Sequence, residues 1–509
     1  MEISNTVILI LASFFMGLLP IVFLWVNNLS SVTPRQMIKI LGMFSLGYVL
    51  GCGILQYFIR DFYSTSLILI VVFYIIFFGK LAFKSKKLCC INLAALAVFA
   101  GLFFVSQEKL QWIFNIFLGL ELFIGIVFTY HIARYFHTIR TFQPLSSENE
   151  EKTDDNGEKT ISHKHPYSVY FIVPDEYAGF NALAEIGIDN SEFKNWLQNK
   201  GFYIAEDAKS NYNLTQNSIC STLNMDYVQN FFTPNPKLDA QSNRTLFLYY
   251  IFNNKVGKKF QQLGYKYYHI INNWESQGNN FSDCADYPIN IMDSLDFEGT
   301  LFCRTFFEEA VNRFQTKFYR LTNLKILDEL SEISKKPDLK FVYSHMLCPH
   351  APYGFDENGN LPESYFNNCS QYFGKEKDDS KIAEEYVKMY DGQVKYLNKK
   401  LMEVIEDIQK NDPKSIIIIQ GDHGTHYYGY KEKATSQKPS KALLKHRYSP
   451  LRVIYAPADF NFEFESSVNV FKAVFNYITG SDEEFLEDKY YYSLNEYFDF
   501  REISKFFLK

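Results

Sequence analysis

Long apolar runs dominate the first quarter of the chain, at about residues 7–26, 37–58, 62–83, 88–105 and 110–130. Each run approaches the roughly 20 residues that a helix needs to cross the hydrocarbon core of a membrane. The pattern predicts five membrane-spanning helices. A signal peptide is the alternative for the first run, although further runs follow it and no basic segment precedes it. Buried helices of a soluble domain are the alternative for all five.

Charged residues near these runs bear on function and on topology. Glu121 lies inside the fifth run, and a carboxylate within a membrane is a candidate functional group. A helix face packed against a neighbouring helix is the other interpretation of Glu121, and both stay open. The loop at residues 80–88 carries four lysines, which predicts a cytoplasmic position. Five spans would then place the residues after 130 on the cytoplasmic side as well.

The composition changes sharply after the fifth run. Residues 143–166 contain almost no apolar side chains and cannot bury a core. Residues 1–137 carry nine Lys and Arg against four Asp and Glu, and the rest of the chain carries 42 against 53. These shifts predict a transmembrane domain at 1–137, a charged linker at 138–166 and a catalytic domain at 167–509.

Beyond the linker, apolar runs of strand length alternate with amphipathic helical patterns. The runs lie at 167–173, 266–271, 340–345, 415–420 and 451–457, and helix-like patterns lie at 191–201 and 466–480. Runs that are apolar on both faces indicate a buried, mainly parallel sheet covered by helices. The sequence therefore predicts a helical membrane domain followed by an α/β domain of about 340 residues, large enough for a substantial core.

Three of the predicted strands end in side chains that can bind metals. These side chains are Asp175 and Glu176, His345 and His350, and Asp422 and His423. In an open α/β sheet the reactive crevice lies beyond the carboxyl ends of the strands. Any one of these residues could be an ordinary turn residue, but three such strand ends indicate a divalent cation held by oxygens and an imidazole. Such a cation activates a nucleophile and neutralises charge on a transferred oxyanion.

A candidate nucleophile lies where a polar loop leads into a helical pattern near Thr215. A hydroxyl at the start of a helix gains from the helix dipole and from backbone N–H groups that can hold phosphate oxygens. Thr215 could instead be only the N-cap of the helix. Ser218 and Ser221 are rival nucleophiles.

The order of these residues resembles the sulfatase branch of the alkaline-phosphatase superfamily. The resemblance rests on Asp175 after a strand, Thr215 at a helix start, Pro-His-x-Pro at 349–352 and Gly-Asp-His-Gly at 421–424, and it covers about residues 165–480. Within that superfamily the chain looks most like membrane-anchored lipoteichoic-acid synthases and lipid A phosphoethanolamine transferases, which also place membrane helices before the catalytic domain.

The resemblance implies roles for these residues. It makes Asp175, Asp422 and His423 ligands of one or two divalent ions, Zn or Mn, and makes Thr215 both a ligand and the nucleophile. It implies that His350 binds the transferred group or assists the leaving group. Further substrate-binding candidates are His345, His426, His446, Arg447 and Glu176, of which Glu176 has no assigned role in the family pattern.

The nucleophile narrows the expected reaction. Sulfate-ester hydrolases of the superfamily use a Cys/Ser-x-Pro-x-Arg motif, and neither Thr215 nor Cys220 is followed by that Pro and Arg. A threonine forms a stable phospho-ester, which suits two-step transfer. We therefore expect transfer of phosphoethanolamine or phosphoglycerol from a membrane phospholipid to a glycan or lipid of the cell envelope, with no nucleic-acid partner. A hydrolase of the same fold, either a phosphodiesterase or an atypical sulfatase, and a non-catalytic membrane scaffold are the alternatives.

The resemblance also implies a side of the membrane. Its lipid-linked acceptors are extracytoplasmic, whereas the lysine-rich loop and a count of five spans predict a cytoplasmic catalytic domain. We follow the resemblance and expect a multi-pass protein of the cell membrane with an extracytoplasmic catalytic domain.

Overall fold

A computed structural model gives the structure of the protein. It describes residues 2–29, 32, 34–78, 86–102, 104–142, 163–236, 240–276, 281–291, 301, 308–362, 380–430, 439–493 and 498–507. The chain divides into two compact units: a helical unit that includes the residues up to Phe142, and an α/β unit that contains most of the residues after it. Most of the predicted linker, residues 143–162, and most of the lysine-rich loop, residues 79–85, lie outside the described residues.

Five helices occupy the five apolar runs in the described part of the helical unit. They are α1 (Glu2–Val26), α2 (Pro34–Ile59), α3 (Phe62–Phe78), α4 (Lys86–Leu102) and α5 (Gln107–Arg140). Among the described helices, three are long and apolar enough to cross a membrane, at Thr6–Val26, Gln36–Ile59 and Gln111–Arg140. The helices α3 and α4 are apolar but shorter. The predicted helical membrane domain is confirmed, and three of the five expected spans reach spanning length within the described residues.

The contacts of α1 show the directions in which the neighbouring helices α3 and α5 run. Its residue Ala12 clusters with Phe114 of α5, and farther along Phe23 contacts Phe128, so α1 and α5 run in the same direction. The helix α3 is also parallel to α1, because Leu9 clusters with Leu67 and Gly17 lies against Phe73. The carboxyl ends of α3 and α5 therefore lie on the same face of the helical unit.

Glu121 is buried in the helical unit. It is 8% exposed, and neither carboxylate oxygen has a hydrogen-bond partner among the described residues. It lines a cavity of about 680 Å³ whose walls come from α1 and α5 and are mostly apolar. The Glu121 side chain therefore lies between α1 and α5, at the wall of this cavity.

The α/β unit contains a seven-stranded sheet and a separate two-stranded sheet among its described residues. The strands are β1 (Ser168–Pro174), β2 (Phe202–Ile204), β3 (Lys266–Ile271), β4 (Tyr287–Asn290), β5 (Lys340–Met346), β6 (Ser415–Gln420), β7 (Arg452–Tyr455), β8 (Tyr491–Ser493) and β9 (Phe500–Glu502). The order in the large sheet is β2-β7-β6-β1-β5-β3-β4. Only β7 runs against the other strands, which confirms the predicted mainly parallel sheet.

Helices cover this sheet. They are α6 (Phe180–Glu185), α7 (Ser191–Asn199), α8 (Thr215–Asn224), α9 (Val228–Phe231), α10 (Ala240–Phe252), α11 (Lys255–Gln262), α12 (Asn273–Ser276), α13 (Glu308–Ser334), α14 (Ser380–Asn411), α15 (Lys441–Arg447) and α16 (Val470–Thr479). The central strands β1, β5 and β6 are buried along their whole length, because most of their residues are apolar and helices pack on each face. This rigid centre carries the candidate site at its carboxyl edge.

Candidate metal centre and active site

Three neighbouring strands bring the predicted ligands to one edge of the sheet. In the parallel sheet β1 lies between β5 and β6, with Val173 paired to His345 and Ile172 paired to Ile419. Asp175 comes directly after β1, and Asp422 comes two residues after β6. Since parallel strands end on the same side, these side chains meet beyond the carboxyl edge.

Asp175, Asp422 and His423 form a buried cluster in which one ligand atom from each lies within 4.8 Å of the others. The Nε2 atom of His423 is 3.1 Å from Oδ2 of Asp422 and 3.9 Å from Oδ1 of Asp175. Neither of these two carboxylate oxygens has a hydrogen-bond partner among the described residues. Buried charges without partners are costly, so two such carboxylates beside an imidazole fit a divalent cation. The residues present therefore suit the metal that the sequence predicts.

The electrostatics of the two carboxyl groups differ. Burial and the charge of Asp175 raise the pKa of Asp422 to about 7. Burial acts in the same direction on Asp175, but the nearby imidazoles of His350, His345 and His423 outweigh it and hold the pKa of Asp175 below its usual range. Because Asp422 bears the cost of the second negative charge, a bound cation would relieve it directly.

His423 is held as a neutral imidazole. Burial and the guanidinium of Arg447 keep its pKa well below the usual range. Its Nδ1 lies 3.0 Å from the carbonyl oxygen of Gly424, and Nη2 of Arg447 lies 3.0 Å from its Nε2. The first contact suits an Nδ1–H donor and leaves the Nε2 lone pair facing the cluster, which is the form that binds metal. Arg447 thus reaches the site beside His423.

Thr215 is the first residue of α8, and its hydroxyl faces the cluster. Its Oγ1 lies 3.1 Å from Nε2 of His423. The rival hydroxyls are occupied elsewhere: Ser218 donates to the carbonyl of Asp422 at 2.5 Å, and Ser221 donates to the carbonyl of Asp226 at 2.7 Å. Of the three candidates, Thr215 is the one whose oxygen adjoins the ligand atoms.

Glu176 turns away from the cluster toward His350. Its backbone N–H donates to Oδ1 of Asp422 at 2.8 Å, but its φ of +63° directs the side chain elsewhere. Oε1 accepts from the hydroxyl of Tyr386 at 2.8 Å and from the N–H of His426 at 2.7 Å. Oε2 lies 3.6 Å from Nε2 of His350. Glu176 therefore holds groups around His350 in place.

The remaining candidate histidines occupy different positions. His350 is one-third exposed, and although burial opposes it, the carboxylates of Asp175 and Glu176 raise its pKa. His345 is fully buried, with Nε2 3.6 Å from Oδ2 of Asp175. His446 lies at the end of α15, where Nε2 is 3.0 Å from Oε2 of Glu185 and the ring packs on Tyr428. The described contacts of the His446 imidazole are thus with Glu185 and Tyr428, away from the cluster ligands.

Several residues of the site carry no motif that sequence reasoning could use. Tyr386 and Tyr390 of α14 hold the side chain and the carbonyl of Glu176, more than two hundred residues away in the chain. Asn272 contacts His345 at the end of the neighbouring strand. Each is common in buried cores, and only the tertiary fold brings it to the site.

A family model described as Sulfatase matches residues 186–448, just over half of the chain. The chain belongs to the sulfatase family. The matched part of this sulfatase-family protein includes Thr215, Asp422 and His423, and Asp175 precedes it. A search of curated protein sequences finds no match.

Solved structures similar to this sulfatase-family protein include both transferases and sulfatases. The C-terminal periplasmic domain of EcEptC from Escherichia coli has 13% identity and a TM-score of 0.44, covering 67% of this chain and 93% of its own. Lipooligosaccharide phosphoethanolamine transferase A from Neisseria meningitidis, an integral membrane protein, has 15% identity and a TM-score of 0.40, covering 89% of this chain and 76% of its own. A putative sulfatase from Bacteroides thetaiotaomicron has 10% identity and a TM-score of 0.41, covering 66% and 79%.

Proposed function

We propose that this sulfatase-family protein transfers a phospho-head group, phosphoethanolamine or phosphoglycerol, from a membrane phospholipid to a glycan or lipid of the cell envelope. The reaction passes through a phosphothreonine intermediate at Thr215. The single observation that carries the proposal is the position of the Thr215 hydroxyl, 3.1 Å from Nε2 of His423 at the start of a helix and beside two buried carboxylates.

The metal site of the proposal consists of Asp175, Asp422, His423 and Thr215. When bound, a divalent cation, Zn²⁺ or Mn²⁺, would supply positive charge that lowers the pKa of the Thr215 hydroxyl. Arg447 places a fixed positive charge beside His423 and so favours an anionic phosphate at the same place. The first turn of α8 presents backbone N–H groups to the phosphate oxygens.

The chemistry divides into two displacements at phosphorus. In the first, the Thr215 hydroxyl loses its proton to solvent, Oγ1 forms a bond to phosphorus, and the bond from phosphorus to the diacylglycerol oxygen breaks. His350, which is partly exposed beside Glu176, is the group proposed to protonate that leaving oxygen. In the second, an acceptor hydroxyl gives its proton to His350, which the first step left neutral, and forms the new bond to phosphorus as the bond to Oγ1 of Thr215 breaks. Threonine is restored and the head group is on the acceptor.

The residues around Thr215 favour phosphoryl transfer over sulfate-ester hydrolysis. The chain has no Cys/Ser-x-Pro-x-Arg sequence at Thr215 or at Cys220. Cys220 lies in the middle of α8, is fully buried, and burial raises the pKa of its thiol well above the usual range. A buried, protonated thiol is a poor nucleophile, so Thr215 is the better one.

Mass spectrometry of the Thr215 peptide tests the proposal. Full-length protein purified from its own membranes should carry a mass addition on Thr215 equal to phosphoethanolamine, phosphoglycerol or phosphate. Thr215→Ala should lack the addition and lose transfer activity, because no oxygen remains at that position. Ser218→Ala should keep both, because the Ser218 hydroxyl is bonded to a carbonyl.

The outcomes separate the candidate functions. A mass addition that is found on Ser218 or Ser221 would contradict the assignment of Thr215. Unmodified Thr215 in protein that retains its metal would instead favour a phosphodiesterase or sulfatase that hydrolyses its substrate. Protein that binds no metal and carries no addition would leave the scaffold function.

We further propose that the catalytic unit is extracytoplasmic, following the family resemblance. The carboxyl ends of α3 and α5 share one face of the helical unit, so the lysine-rich loop after α3 predicts a cytoplasmic position for the residues after α5. We choose the extracytoplasmic side over the cytoplasmic side because the proposed acceptors, envelope glycans and lipids, are modified outside the cytoplasm.

Protease treatment of intact spheroplasts tests the side. The predicted linker at 138–166 is polar and contains lysines, which makes it a suitable site for trypsin. An extracytoplasmic unit should be released into the medium without lysis. Release that occurs only after lysis would place the unit in the cytoplasm and contradict transfer to an envelope acceptor.

A further inference from the structure

A chain of buried polar side chains leads from Asp175 into the sheet. His345 Nε2 lies 3.6 Å from Oδ2 of Asp175, and His345 Nδ1 lies 3.7 Å from Oε1 of Glu275. Oε2 of Glu275 lies 3.6 Å from Nε2 of His269, whose Nδ1 lies 2.5 Å from Oδ2 of Asp283. The side chains of His345, Glu275 and His269 are all fully buried. These three residues form the relay.

The sheet register assembles the relay. The strands β3 and β5 are parallel neighbours, with His269 paired to Tyr343, and β5 also pairs with β1, which leads to Asp175. Glu275 lies in the short helix α12, directly after β3. The hydroxyl of Tyr343 donates to Oε1 of Glu275 at 2.6 Å. The relay therefore joins three adjacent strands at their carboxyl ends.

Asn272 fixes both Glu275 and His345. Its Oδ1 accepts the backbone N–H of Glu275 at 2.9 Å. Its Nδ2 donates to the carbonyl oxygen of His345 at 2.6 Å and lies 3.0 Å from Nδ1 of the same ring. Because the amide approaches Nδ1, the ring presents its Nε2 side to Asp175.

On the side of the relay away from the metal cluster, His269 lies between the carboxyl groups of Asp283 and Glu275. Burial alone would keep His269 neutral, but the carboxylates of Asp283 and Glu275 raise its pKa to about 9. His269 is therefore an imidazolium at neutral pH, flanked by two carboxylates. The imidazolium of His269 therefore places a positive charge beside Glu275, on the side away from His345.

The two oxygens of Asp175 have different surroundings. Oδ2 faces His345, whereas Oδ1 has no hydrogen-bond partner among the described residues and lies 3.9 Å from Nε2 of His423. The position of His345 beside Oδ2 thus leaves Oδ1 as the oxygen that faces the cluster. Carboxylates that bind metals are commonly held by such outer partners, which tune the affinity for the metal.

We infer that Glu275, clamped by His269 and Tyr343, positions His345 against Asp175 and thereby sets the metal affinity of the Asp175–Asp422–His423 cluster. The inference rests on the metal site of the proposed function. It makes Glu275 and His345 positioning residues, and it assigns fully buried His345 to the support of Asp175 in place of substrate binding. A purely structural network would stabilise the fold without changing the affinity for metal.

The test measures Zn²⁺ and Mn²⁺ affinity of the full-length protein by competition with a chelator of known affinity. Glu275→Gln keeps the shape of the side chain and removes its charge, and it should weaken metal binding by about 10- to 100-fold. Tyr343→Phe keeps the ring and removes only the hydrogen bond to Glu275, so it should weaken binding in the same direction by a smaller factor. Tyr343→Phe also carries the test if Glu275→Gln fails to fold.

Asp412→Asn is the matched control. It removes the charge from another buried pair, in which Nζ of Lys340 lies 2.8 Å from Oδ2 of Asp412. Lys340 begins β5, at the end opposite His345. Asp412→Asn should lower the unfolding temperature and leave the metal affinity unchanged.

The outcomes distinguish the inference from the proposed function. Weaker metal binding in Glu275→Gln and Tyr343→Phe, with wild-type affinity in Asp412→Asn, supports the relay. Wild-type affinity in both Glu275→Gln and Tyr343→Phe overturns the inference and leaves the metal site standing. Wild-type protein that binds neither Zn²⁺ nor Mn²⁺ overturns the metal site and the inference together.

Discussion

Replacing Asp422 with asparagine is expected to reduce bound metal to background and to abolish transfer activity while the fold persists. Oδ2 of Asp422 is buried, has no hydrogen-bond partner among the described residues and lies 3.1 Å from Nε2 of His423. The substitution puts a neutral amide where the cation needs a charged oxygen. The other oxygen accepts the N–H of Glu176, and an asparagine carbonyl can still accept that bond.

The stability of the metal-free protein should not suffer from this change. Burial and Asp175 raise the pKa of Asp422 to about 7, so the ionised group opposes folding when no cation is bound. The free-energy cost of burying ionised Asp422 is absent at low pH. It appears as the pH rises past the pKa of an aspartate in the unfolded chain, near 4. The asparagine side chain carries no charge at any pH, so metal-free Asp422→Asn should unfold at or above the temperature of metal-free wild type near pH 7.

Elemental analysis and thermal unfolding with and without chelator check both parts. The wild type should lose stability when the chelator removes its metal, because a ligand that binds only the native state stabilises it. The variant should show no response to the chelator. Glu185→Gln, which removes a carboxylate from the surface contact with Lys445 and His446, should behave like the wild type. Full metal content in Asp422→Asn would refute the assigned cluster.

The predicted ligands could be found from the sequence because strand ends are local features. The apolar runs of β1 and β6 are short, continuous and followed at once by Asp175 and by Asp422 with His423. A parallel sheet brings such ends to one edge whatever the strand order. The sulfatase-like order of the motifs then pointed to the same residues.

The sequence does not show which of two adjacent residues contacts the site, because the side chains of consecutive residues point in different directions. His446 and Arg447 are consecutive in α15, where successive side chains are about 100° apart. Arg447 therefore reaches His423, while His446 contacts Glu185. The side chains of Asp175 and Glu176 also point in different directions, because the positive φ of Glu176 turns its carboxylate toward His350.

The relay could not be predicted from the sequence. Glu275 and His345 are seventy residues apart, and their contact depends on β3 lying next to β5 in a particular register. No periodicity encodes that choice, and neither residue type is unusual at the end of a strand. In the helical unit, by contrast, hydropathy located all five helices, because long apolar runs are also local features.

The two glycines of the Gly-Asp-His-Gly motif lie where there is no room for a Cβ on either side of the ligands Asp422 and His423. A Cβ added at Gly421 would lie 2.3 Å from the carbonyl oxygen of Tyr177. A Cβ added at Gly424 would lie 1.9 Å from the carbonyl oxygen of His446 and 2.9 Å from that of Ser449. Both neighbours are backbone atoms, which cannot move aside as a side chain tip can.

Gly424→Ala is accordingly expected to destabilise the α/β unit by about 3 kcal/mol, through overpacking and the resulting backbone shift. The shift should also break the hydrogen bond from the N–H of Gly424 to the carbonyl of Arg447, 2.8 Å long in the wild type. Arg447 contacts His423, so the metal affinity should fall together with the stability.

Chemical denaturation of Gly424→Ala beside Gly392→Ala measures this effect against a matched substitution. Gly392 lies inside α14, and a Cβ there would meet its nearest neighbour at 3.4 Å, so alanine should be neutral or should stabilise that helix. The difference between the variants isolates the close approach of the backbone at Gly424. If Gly424→Ala matched Gly392→Ala in stability and in metal content, the segment after His423 could move without disturbing its ligands, and the glycine would need another explanation.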